Sequence, residues 1–142
     1  MPDSEAIERA LAARLGADAT LLALCPNNVY LDEAPPGMTR FVIVSLVDEA
    51  DEPRFGGRAY EDALYLVEAR LLSTTANADA NCRAAAARID VLLEDQTFTA
   101  AGYTWMTCHR EGRVRLTEVD AVDPSVRWYR RGGNYRVQMS VT

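Results

Sequence analysis

A chain of 142 residues, 49% hydrophobic and 25% charged, has the composition and length of one globular domain, which excludes disorder for its bulk. With 21 Asp and Glu against 15 basic residues the formal net charge is −6, which argues against a nucleic-acid binder whose affinity rests on a basic face. No apolar run approaches the ~20 residues of a membrane helix, and the acidic start Met1-Pro2-Asp3-Ser4-Glu5 has neither the basic nor the apolar region of a signal peptide, so neither a membrane span nor a leader is expected.

In chain order, Ile7, Ala10, Leu11 and Leu15 recur on one face and predict a first helix over Ser4–Leu15, with Ser4 as N-cap and Gly16 just past its end. Asp18 is placed to cap a second, short helix, Ala19–Leu24, that Pro26 stops. Val29-Tyr30-Leu31 reads as a short strand. Phe41 to Val47 is the strongest strand in the chain, β-branched and almost wholly apolar, as expected of a central strand covered on both faces. The polar stretch Asp48–Ala59 contains Pro53, Gly56 and Gly57 and reads as a long loop. From Tyr60 to Leu72 a long strand follows, with Tyr65, Val67, Ala69 and Leu71 alternating against Leu66, Glu68 and Arg70.

The main helix is predicted over Ala78–Leu93. Cys82, Ala85, Ala86, Ile89, Leu92 and Leu93 form its apolar stripe, and Asp79, Arg83, Asp90 and Glu94 its wet face. Cys82, Ile89 and Leu92 are expected to pack on strand residues Phe41, Ile43, Val67 and Ala69. Phe98 and an Ala101-Gly102 turn come next. The last third reads as strands Tyr103–His109 and Arg113–Val119 around a Glu111-Gly112 turn, a break at Asp120–Pro124, then Val126–Arg130 and Asn134–Val141 around a Gly132-Gly133 hairpin. Hairpin-joined strands with an inserted amphipathic helix give an α+β fold: one domain over 1–142, an antiparallel or mixed sheet, and helices on one face.

Signatures of chemistry are scarce. His109 is the only histidine and has no identifiable orienting partner in sequence. No Walker loop, G-x-G-x-x-G, H-E-x-x-H or G-x-S-x-G occurs. Asp48-Glu49 with Asp51-Glu52 lacks the alternating pattern of a calcium loop and reads as solvated. Cys25, Cys82 and Cys108 are odd in number and irregular in spacing, as buried, unpaired thiols of a reducing compartment would be. No catalytic residue, metal ligand or cofactor is therefore expected. All 15 basic residues are arginine, which suits planar ion pairs and interfaces better than lysine does. Arg54, Phe55 and Arg58 in the first polar stretch, and Trp128, Arg130 and Arg131 beside the Gly-Gly pair, are the residue types that interfaces favour. They have no evident duty inside so small a domain and are the candidate subunit-interface contacts.

Ala13-Arg14-Leu15-Gly16-Ala17-Asp18-Ala19, Leu21-Leu22-Ala23-Leu24, Val29-Tyr30, Ala34-Pro35-Pro36 and Phe41-Val42-Ile43-Val44 together resemble the start of small tail-completion and tail terminator proteins of long-tailed phages and prophages. The later order is similar too: a long strand, the Ala-rich helix around Arg83 to Leu93, a segment ending in Gly102 and a C-terminal strand pair. The resemblance is one of pattern and length over most of the chain. It implies a structural virion protein, made in the host cytoplasm and placed at the head-proximal end of the tail. There it would form a hexameric ring on the last ring of tail tube protein, end tube polymerisation, and present a surface to the head connector or stopper. DNA would pass through the channel without specific binding, as an acidic subunit suits. The alternatives are a head-completion or stopper protein, a small soluble enzyme, or a ligand-binding accessory domain.

Overall fold

A computed structural model describes the backbone of residues 5–54, 57–97 and 100–141; for 48–54, 57–61, 104–106 and 141 it describes only the course of the chain. The elements are α1 (Glu5–Gly16), α2 (Ala19–Leu24), β1 (Val29–Leu31), β2 (Arg40–Arg54), β3 (Gly57–Leu72), α3 (Ala78–Leu93), β4 (Gln96–Thr97), β5 (Tyr103–Val119) and β6 (Arg127–Val141). They form the α+β architecture expected: a six-stranded mixed sheet in the order β1-β2-β3-β6-β5-β4, in which β1 lies parallel to β2 and every other pairing is antiparallel.

Helix α1 buries Ile7, Leu11 and Leu15, the predicted face; the predicted cap Ser4 lies outside the described residues. Gly16 is the last helical residue rather than a left-handed C′ residue, since positive φ among the described glycines falls at Gly37 and Gly102. Asp18 caps α2 as expected, accepting from the Leu21 amide at 2.9 Å. Ala78, Cys82, Ala85, Ile89 and Leu93 of α3 are buried against Val42, Val44, Tyr65, Val67, Ala69, Leu71, Tyr135, Val137 and Met139 of the sheet, which with α1 and Leu21 make one continuous core. The core takes Leu93 fully and Leu92 only in part.

Phe41 and Ile43 do not face that core, contrary to expectation. Val42 pairs with Ala69 and Val44 with Val67, so Phe41 and Ile43, opposite Arg70 and Glu68, stand on the other side of the sheet. Because both neighbours in a strand were apolar, the pattern could not say which parity faced the helices.

Three predicted reversals are corrected. Asp48–Ala59 is no loop: β2 and β3 stay paired from Arg40↔Leu71 out to Arg54↔Gly57, with register shifts between Leu46 and Asp48 and between Glu52 and Pro53. Phe55 lies outside the described residues, as does Phe98. Beyond Val44, where β1 ends, β2 from Ser45 to Glu52 is the outer strand on β3 and β6, and only Pro53–Arg54 with Gly57–Arg58 runs past β6 as a two-stranded tip; the stretch Ser45–Arg54 with its partner is the β2–β3 arm. Pro53, which has no N–H to give, sits on the outer strand, where that lack is tolerated. Glu111-Gly112 is a bulge inside the continuous strand β5, where the register slips between Arg110 and Gly112. Gly132-Gly133 lies mid-strand in β6, and the chain reverses at the Asp120–Pro124 break instead. A Cβ on Gly132 would stand 1.9 Å from the Val67 carbonyl oxygen, so the pair permits close approach of β3 and β6 rather than a turn.

Candidate functional site

On the side of the sheet away from the helices, β3 and β6 bring Glu68, Arg70 and Arg130 together. Glu68 is fully buried, and its Oε1 accepts from Arg130 Nε at 2.9 Å, Arg130 Nη2 at 2.7 Å and Arg70 Nε at 2.8 Å. Arg130 also donates to Glu118. Glu68 Oε2 has no hydrogen-bond partner. A carboxylate out of water is tolerable only with such pairing. Beside this cluster Trp128 stacks edge-on against Phe41, centroids 5.7 Å apart, and donates from Nε1 to Asp120 at 2.9 Å. Phe41 in turn meets Tyr30 at 6.3 Å. Trp128 and Arg130 thus do have duties inside the domain, contrary to the sequence expectation.

Arg131 points to the helix side, where its Nη2 lies 2.9 Å from Asp79, which also pairs with Arg83. The two guanidinium groups hold the Asp79 carboxyl below the usual carboxylate range. Asp90 accepts from Tyr135 Oη at 2.9 Å and pairs with Arg110 at 2.9 Å. Burial, with Asp90 adding to it, pushes the Tyr135 hydroxyl well above its ordinary value, so it stays a donor. Of the predicted wet face of α3, Asp79 and Asp90 are thus ion-paired to the sheet, Glu94 accepts from the Arg110 backbone N–H, and Arg83 pairs with Asp79 along the helix.

Next to that row a groove of about 590 Å³ opens between α3 and the β5–β6 pair, lined by Arg83, Arg110, Arg113, Arg115 and Arg131 around Asp90. Arg113 and Arg115 are exposed and make no ion pair among the described residues. Sequence reading missed this groove because it takes Arg113 and Arg115 from a strand, Arg83 from a helix and Arg131 from a second strand. The alternation Arg113-Val114-Arg115 was the one signal for it.

Arg54 and Arg58 fall at the end of the β2–β3 arm, where Pro53 pairs with Arg58 and Arg54 with Gly57. They lie on a different part of the sheet from Trp128, which pairs with Leu72 at the far end of β3. His109 is half-buried opposite Arg136, away from the core. Cys25, Cys82 and Cys108 are buried and unpaired; burial pushes their thiols up to about 12, 11 and 12. Among the described residues no three His, Cys, Asp or Glu side chains gather as a metal site, and no helix is long and apolar enough to cross a membrane.

No family model matches the chain, and no curated protein matches it. Among solved structures, its fold is similar to that of a chain in the virion of a native gene transfer agent particle, at 22% identity and a TM-score of 0.60, over 94% of this chain and 94% of that one.

Proposed function

We propose that this chain is a structural virion protein of the tail terminator kind. It forms a ring, six-fold by the family resemblance, on the last ring of tail tube protein, ends polymerisation and offers a surface to the head connector. The observation that carries the reading is the likeness in fold, end to end, to a chain of a gene transfer agent virion. It meets independently the resemblance in element order that the sequence has to tail-completion proteins. In this reading the chain has no catalytic role, and DNA passes the channel without being held.

Two features of the sheet support self-association. Outside β1 the outer edge of β2 is open, and outside β4 the outer edge of β5 is open among the described residues. Open edges at opposite ends of one sheet suit heterologous contacts, which close into rings. Of the proposed contact residues, Arg54 and Arg58 belong to the arm and, with Phe55 from the sequence, are assigned to direct contact with a neighbour or the tube. Trp128, Arg130 and Arg131 are assigned to hold the surface from within and to contribute through their exposed remainder.

A head-completion or stopper ring draws on the same likeness, which names a virion and no position in it. Location separates the two. Purified protein mixed with tail tubes lacking their own terminator should bind one end and stop their growth. Binding only to portal-bearing heads would favour the stopper, and binding to neither would end both readings.

A further inference from the structure

The groove beneath α3 concentrates positive charge on an acidic protein. Five of the 15 arginines line it with one of the 21 acids, so the rest of the chain holds 10 arginines against 20 Asp and Glu. Arg83, Arg110 and Arg131 have carboxylate partners within the subunit, whereas Arg113 and Arg115 project exposed into the groove without one among the described residues. Both stand on β5, along the stretch His109–Val119 that has no strand on its outer side among the described residues, where β4 covers Thr107 and Cys108.

The opposite end of the same sheet supplies the complement. From Ser45 to Arg54 the outer edge of β2 is open among the described residues, and that arm carries in its sequence Asp48, Glu49, Asp51 and Glu52 against Arg54, while Asp62 on the paired strand is already held by Arg136. The two open edges are of nearly equal length and opposite charge. An open edge seeks a strand, and unpaired guanidinium groups seek carboxylates.

We infer that the Arg113–Arg115 groove is the docking site for the acidic β2 edge of a second copy of this chain, which lies beside β5 and sets its carboxylates against Arg113 and Arg115. The contact is heterologous: each copy uses its groove on one side and its arm on the other. The inference rests on the ring reading and names the surface that builds the ring.

The test is a pair of charge reversals on the full chain. Arg113→Glu with Arg115→Glu reverses the groove, and Asp51→Arg with Glu52→Arg reverses the arm; the two arginines are exposed and unpaired, so the first variant should melt with the wild type. Each variant alone should self-associate at least roughly tenfold more weakly than wild type in sedimentation, because like charges now meet. An equal mixture of the two should regain assembly, since every groove again meets an arm of opposite charge. Wild-type assembly should also weaken in high salt. If the wild type assembles and the groove variant assembles equally well, or if the mixture regains nothing, the docking site is wrong while the ring reading stands. If the wild type forms no assembly alone or on tail tubes, the ring reading falls and the docking site with it.

Discussion

Glu68 shows what a single residue can decide here. Its carboxylate is sealed between β3 and β6, and two arginines converge on one oxygen. Removing Arg130 leaves this buried charge with Arg70 alone, and breaking such a pair costs up to about 3–5 kcal/mol. Arg130→Glu should therefore lower the unfolding free energy by about that amount in chemical denaturation, and a charge reversal there would test folding before it tested assembly. Glu68→Gln should be milder, since the amide oxygen can still accept; equal losses for the two would show that the ion pair matters less than the shape. Gly132 is decided by space. Alanine there would drive a methyl into the Val67 carbonyl and should cost about 1–3 kcal/mol or more, whereas Gly112→Ala, with nothing within 4 Å, should be nearly neutral to sterics. Equal melting temperatures for both would contradict the close approach of β3 and β6. The sequence displayed both glycines and Glu68, but not these roles: alternation put Glu68 with Leu66 and Arg70 on the face opposite Tyr65 and Val67 without marking it as buried, and a Gly-Gly pair reads locally as a turn.

At the scale of elements, the helices were legible and the strand ends were not. The bounds of α2 and α3 follow from Asp18, Pro26 and the Cys82–Ala85–Ile89 stripe, because capping and 3.6-residue periodicity are local. The arm was missed because its polar residues look like a loop, and only pairing across β2 and β3 makes it a strand. Asp18 also couples elements. It caps α2 and takes Arg88 of α3 in two hydrogen bonds of 2.8 and 2.7 Å, which hold its carboxyl down to about 2. A depressed carboxylate contributes stability above its unfolded value, near 3.8, and loses it as the pH falls from there through about 2. Asp18→Ala should thus cost about 1 kcal/mol or more at neutral pH from the cap and ion pair, and the loss should shrink as the pH approaches 2. A deficit independent of pH would contradict it. On α3, Ile89→Ala removes a fully buried side chain at the helix–sheet contact and should cost about 2–5 kcal/mol. A thermal melt with no loss would refute this packing. The three thiols, pushed up by burial, should react with a thiol reagent only after unfolding. Fast labelling of Cys82 in the native protein would contradict its burial between α3 and the sheet.

For the whole molecule, composition gave the sign of the surface, and topology its distribution. An excess of acid over arginine is spread along the chain, yet five arginines meet in one groove because α3, β5 and β6 bring them there. In the proposed ring the acidic arm of one subunit would meet the basic groove of the next, and a channel bounded by the remaining acidic surface would let DNA slide. The element order that resembles tail-completion proteins was legible in sequence; the groove was not, since no short stretch contains it. The central claim is that this chain caps the tail tube as a ring. The direct measurement is electron microscopy of tails assembled with and without the protein, at matched tube concentrations. The account predicts tails of defined length with added ring density at the head-proximal end, and overlong, unjoined tubes when the protein is left out. Tails of normal length without it, or its density elsewhere in the particle, would contradict the account.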